Sequence, residues 1–178
     1  MDALRRSVHE APLIEDDGYH YLVHPISNGI PTLDPHLMRE VVNGICRVAD
    51  LADVDVIVTP VTMGVHVATA VSLVADIPLV VIRNREYGFD DEVPFDLDGE
   101  DYYLNDVSAG DDVLVLDDLT NTGVSVAAIT EALDDVGANV ADVVTVIRRM
   151  ESETVEMDYE VKSLIDVEVT ADGVEILN

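Results

Sequence analysis

The sequence predicts an α/β fold in which helices cover both faces of a parallel sheet. Apolar runs of strand length alternate along the chain with segments whose apolar residues recur at helical spacing. Strands that are apolar at nearly every position are typical of a parallel sheet buried on both faces, with helices between its strands. The 178 residues, of which 48% are hydrophobic, suffice for a single domain with its own core.

The first third of the chain predicts two short elements and a longer helix. Residues 2–11 carry apolar residues at helical spacing, and residues 19–23 predict a strand. Residues 24–31 are rich in turn formers. Asp34 followed by Pro35 predicts the N-cap and first residue of the longer helix.

Four strands and two further helices are predicted beyond this point. The strands are residues 54–59, 78–82, 112–116 and 140–147, and the helices are residues 64–74 and 124–136. Gly137 is the predicted C-cap of the second helix, because glycine adopts the left-handed conformation at little cost. In the tail, apolar and polar residues alternate on either side of Asp172-Gly173, which predicts a hairpin with a two-residue turn.

The chain is strongly acidic. It carries 9 Lys and Arg against 37 Asp and Glu, which gives a formal net charge of −28. This scarcity of basic residues argues against binding to nucleic acid, because such binding relies on clustered Lys and Arg to neutralise phosphates. We interpret the charge as adaptation to a saline cytoplasm, as in halophiles, because salt screens the repulsion between carboxylates. An ordinary acidic cytosolic protein is the alternative.

Cysteine content and hydropathy restrict the cellular location. The single cysteine, Cys46, excludes an internal disulfide and a thiolate cluster for metal. No apolar run is long enough to cross a bilayer, and residues 1–10 lack the apolar centre of a signal peptide. We therefore expect a soluble, cytoplasmic protein that does not bind membranes.

Residues 84–104 fit neither a predicted helix nor a predicted strand. The segment is acidic and rich in turn formers and aromatic residues. A connection of this length inside a compact fold is usually a lid or a binding loop, so we predict a flexible lid. A solvated surface insertion of a halophilic protein is the alternative.

The most informative run is residues 113–125, Val-Leu-Val-Leu-Asp-Asp-Leu-Thr-Asn-Thr-Gly-Val-Ser. An apolar strand ends there on two carboxylates, Asp117 and Asp118, and a short loop leads into a helix. Open α/β sheets bind ligands at the carboxyl ends of their strands, and helix starts bind anions. The run therefore predicts a phosphate at the helix start and sugar hydroxyls or hydrated Mg²⁺ at the acids. The alternative is a capped strand end without a ligand.

The same run resembles the phosphoribosyl pyrophosphate motif of the type I phosphoribosyltransferases, in which two acids and Thr-Gly-x-Ser/Thr follow an apolar strand. The order of helices and strands is also similar, so the resemblance extends over residues 19–166. Within this superfamily the chain is most similar to the archaeal purine phosphoribosyltransferases. The segments that carry this narrower similarity are residues 24–31, 63–64, 83–87 and 163–166.

The resemblance implies roles for individual residues. The residues expected to bind the ribose and 5′-phosphate of the donor are Asp117, Asp118, Thr120, Asn121, Thr122, Gly123, Val124 and Ser125. Mg²⁺ would bind to the two acids through water. The pyrophosphate loop would comprise Thr62, Met63 and Gly64, and the residues expected in catalysis are Arg83, Arg85 and Tyr87.

The resemblance also implies a base site and an overall organisation. Ile26, Leu119 and Ile165 are the candidates for its apolar walls, and Asn28 or Asp166 for its polar edge. Residues 1–178 would form one phosphoribosyltransferase domain, with a hood from residues 1–33 and 160–178. Relatives of this kind commonly form homodimers, so a homodimer is expected.

The implied function is purine salvage, in which a free purine receives the phosphoribosyl group and pyrophosphate is released. Asn84 stands where many relatives carry lysine, and Asn121 where hypoxanthine-guanine enzymes carry an aspartate base. Val124 replaces a glycine beside the phosphate, and residues 59–64 lack the acid often found there. These departures leave open which purine is used. The alternative is a donor-binding regulator with little or no catalysis, and a pyrimidine acceptor is a third hypothesis.

Overall fold

The computed structural model describes residues 1–150, 154–156 and 158–178. Its helices are α1 (Asp2–His9), α2 (Pro25–Asn28), α3 (Pro35–Val48), α4 (Gly64–Ala75) and α5 (Val124–Val136). Its strands are β1 (Leu13–Asp16), β2 (Tyr19–Leu22), β3 (Val56–Pro60), β4 (Leu79–Ile82), β5 (Val93–Leu97), β6 (Glu100–Leu104), β7 (Asp112–Thr120), β8 (Asn139–Arg149), β9 (Val161–Thr170) and β10 (Gly173–Ile176).

The central sheet has the strand order β10-β9-β8-β7-β3-β4 among the described residues. Its pairs are parallel from β9 to β4, and only β10 pairs antiparallel, with β9. Parallel neighbours need crossover connections, which α4 supplies between β3 and β4 and α5 supplies between β7 and β8. The predicted fold class, a mostly parallel sheet flanked by helices, is confirmed.

Successive residues of β7 point into two different cores. Leu114 and Leu116 pack with α1, α3 and α4 on one face, while Val113 and Val115 pack with α5 on the other. All four are at most 1% exposed. A strand with both faces covered must be apolar at every position, which explains why this run is so easily recognised in the sequence. Packing of the strand between the two cores also fixes the position of the two acids at its carboxyl end.

The segment predicted as an irregular lid contains a β-hairpin. β5 and β6 pair antiparallel, and Asp98 and Gly99 form the turn with φ of 56° and 83°. Two positive φ values at a hairpin turn match the right-handed twist of the strands. Leu97 and Leu104 anchor the hairpin in the core beside α5. The acidic residues between the apolar positions hid this alternation from sequence reading.

The tail supplies the last two strands of the central sheet. Residues 160–178 were expected to form part of a hood, but β9 pairs parallel with β8, and β10 forms the sheet edge. Polar Lys162 and Ser163 interrupt the apolar pattern at the start of β9, and both have buried or half-buried acid partners. Lys162 pairs with Asp142 on the neighbouring strand β8, and Ser163 donates to Asp166 on β9 itself. These partners permit polar residues in a strand that the apolar pattern alone does not show. The turn of the β9–β10 hairpin lies at Ala171-Asp172, one residue before the predicted position.

The N-terminal segment forms a hairpin, β1 and β2, followed by α2, beside the carboxyl end of the sheet. His24 is the N-cap of α2 and is fully buried. Its Nδ1 accepts from the N–H of Ile26 at 3.3 Å, and its Nε2 lies 2.9 Å from the Ser7 hydroxyl. This histidine therefore ties α1 to the start of α2.

We expect His24 to make the stability of the fold depend on pH. Burial lowers its pKa from 6.5 to about 4, so the unfolded chain binds a proton at a higher pH than the folded chain does. The free energy of unfolding should therefore have its full value above pH 6.5. It should fall as the pH drops towards 4, by about 3 kcal/mol in total. The measurement is chemical unfolding of the wild type and His24→Asn, a variant that retains a capping acceptor, across this range.

The difference in unfolding free energy between these two proteins should shrink as the pH falls. His9→Asn, a change at an exposed histidine, is the control and should give a curve parallel to that of the wild type. Parallel curves for the His24 variant would contradict the assignment.

Candidate active site

Two buried carboxylates lie at the carboxyl end of β7. Asp117 is 8% exposed and Asp118 is 9% exposed. The Asp118 N–H donates to Oδ1 of Asp117 at 2.8 Å, which orients the Asp117 carboxylate. The apolar strand places them there, because its preceding residues are fixed in the two cores.

Burial raises the pKa of both carboxyl groups. For Asp118 the negative charge of Asp117 adds to the effect of burial, while for Asp117 hydrogen bonds from Asp118 oppose it. Two buried acids side by side are unfavourable unless protons, hydroxyl donors or a cation compensate them. The pair is therefore suited to bind a ligand that brings hydroxyl groups or a hydrated metal ion.

A polar cavity of about 480 Å³ opens beside the acids, between the end of β7 and the start of α5. Asp98, Leu119 and the consecutive residues from 120 to 126 line it. Gly123 is the N-cap of α5 in the left-handed conformation, with φ of 87°, and no side chain caps the helix. Its first N–H groups are thus available to an anion. The predicted donor-binding residues from Thr120 to Ser125 are brought together here.

The segment after β3 approaches the acids closely at Gly64. A Cβ atom at this position would lie 2.3 Å from Oγ1 of Thr59 and 3.0 Å from Oδ1 of Asp117. Only glycine permits this approach, which places the predicted pyrophosphate loop beside the carboxylates. Met63 packs on Gly29 at the end of α2, and Thr62 is exposed.

A smaller cavity of about 170 Å³ lies between Asp118 and the N-terminal hairpin. The residues that line it are Tyr19, Tyr21, Leu22, Ser27, Asn28, Asp118, Leu119, Asn121 and Arg149. Leu119 and Asn121 also border the larger cavity, so the two spaces adjoin. The aromatic and amide groups of the smaller cavity suit a flat heterocycle.

Arg149 was not identified from the sequence, and it joins the sheet to the N-terminal hairpin. Its Nη1 donates to the His20 carbonyl at 2.6 Å, and its guanidinium carbon lies 4.2 Å from the centre of the Tyr19 ring. The residue is 7% exposed. The signal available in the sequence was its rarity as a cation, directly after a predicted strand in a chain with 9 Lys and Arg.

The sequence profile of the phosphoribosyl transferase domain matches residues 41–178, which include β7, the loop and α5. The chain belongs to this family. The HGPRTase-like protein 1 of Haloarcula marismortui is 56% identical to this phosphoribosyltransferase over 99% of both chains.

Solved structures show the same fold. Adenine phosphoribosyltransferase from Thermoanaerobacter pseudethanolicus superposes with a TM-score of 0.74 at 15% identity, covering 93% of this chain and 98% of that chain. The enzyme from Trypanosoma brucei, in complex with AMP, pyrophosphate and ribose-5-phosphate, has a TM-score of 0.67 at 17% identity. That alignment covers 82% of this phosphoribosyltransferase and 67% of the other chain. At such identities the likeness concerns the fold alone.

The residues proposed for the base site of this phosphoribosyltransferase separate into two groups. Leu119 and Asn28 line the smaller cavity. Ile26 and Ile165 are fully buried in the core on the α3 and α4 face. Neither of them lines the larger or the smaller cavity.

Asp166, the second candidate for the polar edge of the base site, forms a salt bridge with Arg148. The guanidinium donates to both carboxylate oxygens at 2.8 Å, and the Ser163 hydroxyl donates to Oδ1 at 2.5 Å. Burial raises the pKa of Asp166, but these hydrogen bonds outweigh burial and hold it below the ordinary value. The carboxylate is therefore already occupied by partners within the sheet.

The residues expected in catalysis lie on the exposed segment after β4. Arg83 and Tyr103 exchange backbone hydrogen bonds of 3.1 and 2.8 Å, which joins this segment to the β5–β6 hairpin. Arg85 lies 5.6 Å from the centre of the Tyr87 ring. None of Arg83, Arg85 and Tyr87 lines either cavity. A catalytic role for them requires the segment to move over the acids.

The donor set fits magnesium better than a transition metal. Among the described residues, no group of three or more His, Cys, Asp and Glu side chains is placed to hold a metal ion. Mg²⁺ needs only one or two carboxylates, because it retains several waters and binds substrate phosphates. Asp117 and Asp118 meet that requirement.

No helix in the described part of the chain is long and apolar enough to span a membrane.

Proposed function

We propose that the protein transfers the 5-phosphoribosyl group of phosphoribosyl pyrophosphate to a purine base and releases pyrophosphate. The observation that supports this most strongly is the placement of the buried acids beside an uncapped helix start and an adjoining aromatic cavity. A sugar phosphate would meet the first two features, and a base would enter the third. The names of the relatives, which refer to purine enzymes, agree with this assignment.

The start of α5 would hold the 5′-phosphate. The backbone N–H groups of its first turn and the hydroxyls of Thr122 and Ser125 border the larger cavity, and each is a donor for phosphate oxygens. The adjacent carboxylates of Asp117 and Asp118 would accept hydrogen bonds from the ribose 2′- and 3′-hydroxyls. In this arrangement the sugar lies between two fixed groups, with its C1′ directed towards the smaller cavity.

Magnesium fits the proposed site through the same two acids. Asp117 and Asp118 would hold it through its waters, and bound Mg²⁺ would stabilise the negative charge that develops on pyrophosphate. Gly64 lies beside Asp117, and the loop of residues 62–64 would meet the pyrophosphate as it leaves. We therefore propose a magnesium-dependent reaction.

The bond changes define what the protein must do. The bond from C1′ to the pyrophosphate oxygen breaks with its electron pair leaving on pyrophosphate. A purine nitrogen bonds to C1′ through its lone pair, and the ring N–H proton of the base passes to the released pyrophosphate or to water. We propose that Arg83 and Arg85 contribute positive charge to the leaving group when the segment from residue 84 to 104 closes as a lid. Closure would also exclude water, which would otherwise hydrolyse the donor.

Arg149 is expected to shape the proposed base site through its contacts with the N-terminal hairpin. In Arg149→Met the hydrogen bond to the His20 carbonyl and the contact with Tyr19 are lost, so the N-terminal hairpin loosens over the smaller cavity. We expect the KM for the base to rise about tenfold, a free energy of about 1.4 kcal/mol, while the Kd for the donor changes little. Steady-state kinetics and calorimetry measure the two constants.

Arg47→Met, which removes an exposed arginine at the end of α3, is the matched control and should change neither constant. Equal weakening of donor and base in Arg149→Met would instead show that Arg149 supports the whole fold.

A donor-binding regulator without catalysis remains the second candidate function. It is favoured by the exposed positions of Arg83 and Arg85, outside both cavities, and by Asn84 in place of a cation. In a regulator the donor would bind to the acids and the start of α5 in the same way.

The experiment that separates the two candidates is a panel of free purines and pyrimidines, incubated with labelled donor, Mg²⁺ and molar KCl. Formation of a purine nucleotide supports the proposed enzyme, and the most active base identifies the substrate. Donor binding without nucleotide supports the regulator. Failure to bind the donor contradicts both. Repeating the assay in dilute buffer tests the halophilic interpretation of the −28 charge, since full activity there would contradict it.

A further inference from the structure

Thr59 carries a buried hydroxyl that has no hydrogen-bond partner among the described residues. The residue is fully buried near the end of β3. In contrast, the buried hydroxyl of Thr130 lies 3.0 Å from the carbonyls of Val126 and Ala127. Because a buried hydroxyl without a partner destabilises the folded state, its presence requires a physical reason.

The position of this hydroxyl supplies the reason. A Cβ atom at Gly64 would lie 2.3 Å from Thr59 Oγ1 and 3.0 Å from Asp117 Oδ1, so the hydroxyl and the carboxylate border the same small space. β3 and β7 are neighbours in the sheet. Thr59 pairs with Val81 of β4 and Asp117 with Thr145 of β8, which fixes both residues on rigid backbone. Oδ1 of Asp117 accepts one hydrogen bond, from Asp118, and a carboxylate oxygen can accept a second.

We propose that Thr59 is a positioning residue whose hydroxyl donates to the carboxylate of Asp117 when the donor binds, holding that carboxylate towards the ribose. This inference rests on the proposed function, because it assumes that Asp117 meets the donor. The hydroxyl is unpaired in the ligand-free protein and paired in the complex. Its hydrogen bond therefore favours only the bound state, and removing it has opposite effects on stability and on binding.

The test compares Thr59→Val, which keeps the shape and removes the hydroxyl, with Thr59→Ser, which keeps the hydroxyl. In Thr59→Val we expect the Tm of the ligand-free protein to rise by about 2–4 °C, because an unpaired polar group is lost. The Kd for phosphoribosyl pyrophosphate, measured by calorimetry with Mg²⁺, should rise about tenfold, as for one lost hydrogen bond to a charged group. Thr59→Ser should restore most of that affinity.

Thr130→Val is the matched control, since it removes a buried hydroxyl that has partners; its Tm should fall and its Kd should equal that of the wild type. An unchanged Kd in Thr59→Val, with a wild type that binds the donor, overturns the role of Thr59 and leaves the proposed function intact. A lower Tm together with weaker binding shows a structural role and also overturns the inference. A wild type that does not bind the donor overturns the proposed function and this inference with it.

Discussion

Asp118→Asn is expected to lose most of its affinity for phosphoribosyl pyrophosphate while becoming more stable without ligand. The Kd should rise about a hundredfold or more, because an amide accepts the ribose hydroxyls more weakly and offers Mg²⁺ no charge. Burial, and next the charge of Asp117, raise the pKa of Asp118, so the ionised carboxylate destabilises the folded state. The asparagine variant lacks this cost.

The pH dependence of that stability has a defined sign. A carboxyl whose pKa is raised by folding has no effect on stability below the pKa of the unfolded chain, near 4, and destabilises the fold increasingly as the pH rises. The gain of Asp118→Asn over the wild type in unfolding free energy should therefore be small at about pH 4 and larger at about pH 7. Urea unfolding at the two pH values measures it.

Asp142→Asn is the matched control, because Asp142 is also buried, at 7% exposure, but lies away from the site and is paired with Lys162 at 2.7 Å. Its carboxylate also accepts from the N–H groups of Asp50 and Val143. We expect this variant to lose about 1–3 kcal/mol of stability and to bind the donor normally. Unchanged Mg²⁺-dependent affinity in Asp118→Asn would remove the acid pair from the donor site.

Gly64→Ala adds one methyl group, and we expect this substitution to disturb both the stability of the protein and donor binding. The added Cβ would lie 2.3 Å from Thr59 Oγ1, on a stiff β-branched side chain in a buried strand, and 3.0 Å from the Asp117 carboxylate. Relief requires a shift of the loop or of the acid, which we expect to cost about 1–3 kcal/mol of stability and to weaken donor binding about tenfold or more. Thermal unfolding and calorimetry provide both values.

Gly44→Ala in α3 is the control, because its Cβ would meet only the ends of flexible side chains, Leu164 and Met1. It should change stability little, since alanine also favours the helix. The double variant Gly64→Ala/Thr59→Ala removes the closest contact and should regain part of the stability lost in Gly64→Ala. A double variant no more stable than Gly64→Ala would show that Thr59 is not the obstacle.

The alternation of strands and helices could be predicted because each strand of a doubly covered sheet must be apolar on both faces. The run before Asp117 satisfies this condition almost without exception. The β5–β6 hairpin and the start of β9 could not be predicted in the same way. In both, charged or polar residues occupy strand positions. The carboxylate that pairs with Lys162, for example, belongs to Asp142, which lies 20 residues away in the sequence.

The residues of the candidate site also fall into a group whose proximity the sequence predicts and a group that only tertiary contacts bring together. Residues from Thr120 to Ser125 share one cavity because they are consecutive at the turn from β7 to α5, so their proximity follows from sequence order alone. Arg149, Tyr19 and Tyr21 meet at the smaller cavity from opposite ends of the chain. Ile26 and Ile165, which have the right chemistry for an apolar wall, lie instead beneath the surface.

The amino-acid sequence by itself determined the fold class, the acid pair and the turn from β7 to α5, because these depend on neighbours along the chain and on the pattern of apolar residues. Only the tertiary structure decided which residues border the smaller cavity, why position 64 excludes a side chain, and that the Thr59 hydroxyl lies beside Asp117 with no hydrogen-bond partner among the described residues. The physical reason is that burial and hydrogen-bond satisfaction are set by contacts between distant segments. Periodicity along one strand or helix contains no record of those contacts.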